Sequence, residues 1–196
     1  GLSWSALFTL AGGVQRRPPL TLWPDFVEKI SRGLLPDSGT PNAPGNAMLL
    51  VKYGRRAPLL SAYNVLAQFV ETRSGVQVTP LEPSQLTLKQ QFRVVSRASF
   101  SITPDGGASF LCAFMPEGAA LVVLGELEKW VWANDRRVRA FYCTPRGPRV
   151  ACLPASPEND DCYTAEAVMP CLIDMLPRVL HHVRHTWPTV GVAQVR

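Results

Sequence analysis

The chain is poor in imidazole. Its three histidines, His181, His182 and His185, fall within five residues of one another. A Ser-His or Cys-His nucleophile would have to recruit its base from that cluster. His181 and His185 lie one helical turn apart and could chelate a metal, but Cys143, Cys152, Cys162 and Cys171 lack the close-paired spacing that would complete a zinc site. The histidines therefore read as cations at a helix C-terminus, where the helix dipole favours them. Glu158, Asp160 and Asp161 supply carboxylates, but PENDDCY has neither the spacing nor the glycine of a calcium loop and reads as a solvated cap. No GxxxxGK[ST], GxGxxG, HExxH, CxxC or GxSxG occurs. The sequence assigns no catalytic residue, metal or cofactor.

Binding chemistry is better represented. Lys89, Arg93 and Arg97 recur every fourth residue, and on a strand they would form a basic row with about 13 Å between neighbours. Arg136, Arg137 and Arg139 could extend that row, and Arg55 and Arg56 form a further pair. Trp130 and Trp132 bracket Val131, which on a strand points both rings to one side, and tryptophan is a favoured interface anchor. The partner-binding set expected from sequence is thus Lys89, Arg93, Arg97, Trp130, Trp132, Arg136, Arg137 and Arg139.

Hydrophobic periodicity suggests how these residues are placed. A short helix is expected over 24–32, with Leu22, Phe26 and Ile30 on one side and Gly33 as its cap. Residues 34–47, rich in Pro, Gly, Asn and Ser, read as a flexible loop, 48–54 as a strand, and 57–75 as a helix buried through Leu59, Tyr63, Leu66 and Val70. Leu86, Leu88, Phe92, Val94, Ala98, Phe100 and Ile102 fall on even positions, interrupted by Gln90 and Ser96, the pattern of a long half-buried strand or of two with a bulge between them. Pro104-Asp105-Gly106 and Pro116-Glu117-Gly118 read as tight reversals with SFLCAF and ALVVLG as strands, and 138–153 as another hairpin. Val168, Cys171, Leu172, Met175, Leu176, Val179, Leu180 and Val183 mark a C-terminal helix with a kink expected at Pro177. The expected fold is α+β: an antiparallel meander of about five strands, covered by the long C-terminal helix, with additional N-terminal helices.

Composition fits this reading. With 196 residues, 46 % hydrophobic and 18 % charged, the chain suits one α+β domain over 1–196 that needs no disulfide or metal to hold it. The longest apolar runs, such as AALVVLG, are far too short to cross a bilayer. Five widely spaced cysteines, an odd number, and no glycosylation sequon point to reduced thiols in an intracellular compartment, cytoplasmic or nuclear. The net charge of +5 comes from 16 Arg and 4 Lys against 15 acids. The chain opens Gly-Leu-Ser without Met and reads as an excerpt of a longer protein. The function expected on these grounds is a non-catalytic protein-protein interaction or scaffold domain of an intracellular assembly, with an acidic protein surface as partner. The alternatives are a module binding nucleic acid, phosphate or an anionic lipid headgroup such as a phosphoinositide, and an enzyme of unfamiliar type.

Overall fold

A computed structural model describes residues 46–125, 137–152 and 161–187, together with Val27, Lys29, Ile30, Gly33 and Trp132. Its centre is a five-stranded sheet in which every pairing is parallel, ordered β2-β1-β3-β4-β5. The strands are β1 (Asn46–Leu50), β2 (Val78–Leu81), β3 (Ala98–Pro104), β4 (Ala120–Leu124) and β5 (Arg139–Cys143). Three helices are described: α1 (Leu60–Ser74), α2 (Leu88–Val95) and α3 (Ala165–Thr186), and an eight-residue 3-10 segment covers Gly107–Phe114. The protein is an α/β layer structure, and the expected antiparallel meander is wrong.

β1 and β4 are apolar on both faces, as suits a parallel sheet covered by helices on both sides, whereas β3 alternates Phe100 and Ile102 with the buried polar residues Ser99, Ser101 and Thr103. Ala47, Leu49 and Val51 point into one core with Tyr63, Leu66 and Val70 of α1 and with Val168, Leu172, Leu176 and Val179 of α3. Met48 and Leu50 point the other way, to Phe92 and Val95 of α2 and to Phe110 and Phe114 of the 3-10 segment. Each fully buried Leu or Val in these layers contributes roughly 1.5–3 kcal/mol of transfer free energy. Every residue of the central strand β3 and of its neighbour β4 is buried.

The largest correction concerns residues 84–102. Their even-numbered apolar positions do not make one strand; a helix occupies 88–95 and only 98–104 is extended. Leu88, Phe92 and Val95 also obey helical spacing, and Thr87 closes the start: its side chain accepts from the Gln90 amide while the Gln90 side chain accepts from the Thr87 amide. SFLCAF is likewise 3-10 and buried throughout, not a strand. The two Pro-acid-Gly devices do place glycines at positive φ, +118° at Gly106 and +84° at Gly118. They do not reverse a hairpin: the first leaves β3 for its crossover and the second delivers the chain back to β4, parallel to β3. Among the described residues 138–152 no hairpin pairing is present either; Val150 instead bridges Cys162.

Other expectations hold in part, although Asn46 and Ala47, expected at the end of the 34–47 loop, already belong to β1. The helix after β1 ends on Gly75 in the left-handed conformation, φ +68°, as its position suggested. The C-terminal helix runs through Pro170 and Pro177, both exposed. Val27, Lys29, Ile30 and Gly33 are helical, so Gly33 sits within helix and not beyond it, while Leu22, Phe26 and 34–45 lie outside the described residues.

The cysteines also require correction. Cys143 pairs with Cys171 and Cys152 with Cys162, at Cα separations of 5.4 and 5.1 Å, both within disulfide range, and Cys112 alone stays free and buried. Two such pairs do not fit the reduced, intracellular setting expected from the odd count. No helix among the described residues is long and apolar enough to cross a membrane.

Candidate functional site at the carboxyl edge of the sheet

α1, α2, α3 and the 3-10 segment each follow the carboxyl end of a strand, so their starts gather at the carboxyl edge of the sheet. Each start carries the positive end of a helix dipole and backbone N–H groups with no partner inside the helix. At the order reversal, β1 connects outward to β2 on one side while β3 connects to β4 on the other. The loops after β1 and β3 leave the sheet in opposite directions there, the position at which doubly wound sheets form their ligand crevice.

Lys52, two residues past β1, links the loop after β1 to the loop after β3 at this position. Its Nζ donates to the Asp105 carbonyl at 2.7 Å and to the Arg55 carbonyl at 3.0 Å, and Tyr63 anchors its backbone, accepting from the Lys52 amide at 3.0 Å and donating to its carbonyl at 3.1 Å. Burial pushes the Tyr63 phenol above its ordinary pKa, so it stays a neutral clamp. Gly106 is glycine for a reason visible here: a Cβ on it would sit 2.8 Å from the Lys52 Nζ, at a φ that side chains avoid. Asp105, 3 % exposed, packs its carboxyl group against Gly125, where a Cβ would come within 2.5 Å of Oδ2. Gly106 and Gly107 then open the 3-10 segment, whose first internal bond runs from the Ser109 amide to the Gly106 carbonyl.

A second group of charges forms the rim. Arg55 Nε donates to Asp161 Oδ2 at 2.9 Å and Arg149 Nη1 to Asp161 Oδ1 at 2.8 Å. The hydrogen bonds from Arg149 and then Arg55 hold the Asp161 carboxyl below its usual range. Residues 161–163 run along 56–59, with the Arg56 amide bonded to the Asp161 carbonyl and the Tyr163 amide to the Ala57 carbonyl. Arg149 also lies over the Tyr163 ring, 5.5 Å from its centroid.

The residues expected from sequence lie elsewhere. Lys89, Arg93 and Arg97 are not a strand row; they step along α2 and just past its end, all exposed, toward the amino edge. Arg93, Arg97 and Val94 border a groove of about 180 Å³ with Ala47, Met48 and Thr79. Arg139 opens β5 on the same edge, in register through Ala120 and Phe100 with Ala47, so three strand spacings, about 14 Å, separate it from β1. Arg137 is structural: its Nη2 donates to the Ala113 and Met115 carbonyls at 3.0 and 3.2 Å. Trp132 is helical and 2 % exposed, packed with Phe110, so it is a core residue and not a surface anchor. Trp130 and Arg136 lie outside the described residues. Among the described residues no group of three or more His, Cys, Asp or Glu could hold a metal ion.

Sequence reasoning missed Lys52, Gly106 and Gly107. The available signal was the run MLLVK before an amphipathic helix and SITPDGG before another, each a strand-to-helix junction at which a parallel sheet presents its ligand edge. Compared with known families and curated proteins, the chain matches no family model and no curated sequence.

Proposed function

We propose that this chain is a ligand-binding α/β domain that takes a small phosphate-bearing molecule of the nucleotide class in the crevice between the loops after β1 and β3. The observation that carries the reading is the position of Lys52, held across the order reversal beside Gly106 at the start of the 3-10 segment. A fixed ammonium, a glycine pair that lets a ligand approach the backbone, and helix starts facing the same space form an anion site built before the ligand arrives. Two cysteine pairs at disulfide distance support a working compartment that is oxidising.

Calorimetric titration with a panel of nucleoside diphosphates and inorganic pyrophosphate tests the proposal. At least one compound is expected to bind, and Lys52→Ala to weaken it about 10- to 100-fold, the loss of one charge-assisted contact of about 1.5–3 kcal/mol. A folded protein that binds none of them overturns the reading.

A second reading, the interaction domain, is supported by the amino-edge groove. Arg93 and Arg97 have no ion pair among the described residues, and at about 180 Å³ the groove is smaller than ligand pockets of roughly 300–1,000 Å³ but large enough for one side chain. An acidic partner segment would dock there by side chain, since Pro80 removes a donor from edge strand β2. Double reversal of Arg93 and Arg97 to Glu would abolish such binding and leave nucleotide binding intact.

A further inference from the structure

We infer that Arg55 and Arg149 form a second anion subsite beside the crevice and that Asp161 fills it in the unliganded protein, as an internal stand-in for a ligand phosphate; the inference rests on the ligand-binding reading above. Two guanidinium groups converge on one carboxylate from opposite oxygens, at 2.9 and 2.8 Å, and the trio carries a net charge of +1. Each arginine spends a single N–H on Asp161, although a guanidinium offers five donors in a fork that matches phosphate in two-point contacts. A phosphate group therefore satisfies this pair better than Asp161 does. The existing bridge is inexpensive to open, because both arginine side chains are about half exposed or more, 61 % and 48 %, and exposed ion pairs contribute little.

The frame around the trio is fixed while the bridge is not. The Arg55 carbonyl itself accepts from the Lys52 ammonium at 3.0 Å, so the subsite adjoins the crevice through that bond. On the other side, Cys162 is buried and paired with Cys152, and the amides of Arg56 and Leu59 bond the carbonyls of Asp161 and Tyr163 at 2.8 Å. Arg149 is steadied over the Tyr163 ring. Adjacent cationic centres, Lys52 and the arginine pair, suit a ligand with two linked phosphates over one with a single phosphate.

Titration of the intact chain with inorganic pyrophosphate and with inorganic phosphate tests this. Asp161→Asn removes the competing charge and keeps the shape, so pyrophosphate affinity is expected to rise at least about 5-fold, and Arg149→Ala in that background to cancel the gain. Unchanged or weaker affinity in folded Asp161→Asn overturns the inference. If that variant does not fold, Arg149→Ala in the otherwise native chain decides: pyrophosphate should weaken at least about 5-fold with phosphate nearly unchanged, and equal effects on both overturn it. Failure of the ligand-binding reading looks different, since the native chain, Lys52→Ala and Asp161→Asn would then all bind neither anion.

Discussion

At the carboxyl edge of the sheet, Lys52, Arg55 and Arg149 are each held by a carbonyl or carboxylate at 3.0 Å or less, whereas at the amino edge Arg93 and Arg97 project from α2 with no ion pair among the described residues. The same strands and helices make both edges, and chain direction separates them. Helix starts bring positive dipole ends and unpaired N–H groups to the carboxyl edge, so cations there add to a field that is already positive and must be tied by acceptors. Helix ends bring negative dipole ends to the amino edge, where a loose arginine is favourable without any partner. Under the proposed reading, an anion meeting the first edge finds Lys52 already in place and has only the exposed Asp161 bridge to displace, so less side-chain freedom is lost on binding there.

The strongest way to separate the edges is Phe92→Ala. Phe92 is 2 % exposed, its ring 4.2 Å from that of Phe114, and its loss should cost about 3–5 kcal/mol in a denaturant titration. It loosens α2 and the groove beside Arg93, while nucleotide binding at Lys52 should survive in conditions where the variant is folded. Loss of both activities in a folded variant would show the edges to be coupled through α2.

The cysteine pairs come next. They close loops with separations of 28 and 10 residues, for which chain entropy gives about 4 and about 3 kcal/mol. Alkylation without reductant should modify Cys112 alone, and only after unfolding, and reduction should lower stability by that order. Because Cys152–Cys162 frames Asp161 and Cys143–Cys171 ties β5 to α3, serine replacement of the former should disturb rim binding more. Smaller again, Gly125→Ala forces a Cβ against the Asp105 carboxyl group at φ +138° and should cost about 1–3 kcal/mol, with weaker ligand binding.

Which parts were legible in the sequence follows from the same physics. The helices at 60–74 and 165–186 were readable because each buries one stripe against one layer, and that periodicity is local. Strand direction was not, because a turn signal fixes only local φ: Gly106 and Gly118 have positive φ in a parallel crossover just as they would in a hairpin. The apolar runs MLLV and ALVVL did carry the information, since a strand alternating toward solvent on one face would not be apolar at every position. Thr87 and Gln90 also announced a helix start, against a period-two pattern over the same residues. For the site, Arg93 and Arg97 were visible as a repeat, but Lys52 lies 53 residues from Asp105 and 97 from Arg149, so the crevice exists only once the parallel order is known. Disulfide partners are equally non-local, and an odd count says nothing about which cysteines meet.

The smallest expected effect probes the amino edge through pH. His182 Nε2 lies 3.0 Å from the Gly118 carbonyl, just ahead of β4, and must carry a proton there because a carbonyl only accepts. Burial holds its pKa below the ordinary 6.5, against the Gly118 bond that raises it and alongside repulsion from Arg139, His181 and His185. The folded state therefore binds fewer protons than the unfolded chain between the lowered value and 6.5, so stability is full above 6.5 and declines as pH falls through that window. The change should be on the order of a few tenths of a kcal/mol, given solvent screening of the ring. His182→Gln keeps a donor for Gly118 and removes the titration, so its stability should vary less between pH 7 and 5, measured by denaturant midpoints. Nucleotide affinity at Lys52, on the opposite edge, should keep its native pH dependence in this variant. If that dependence changes along with stability, α3 transmits between the edges and their separation is weaker than the layer geometry implies.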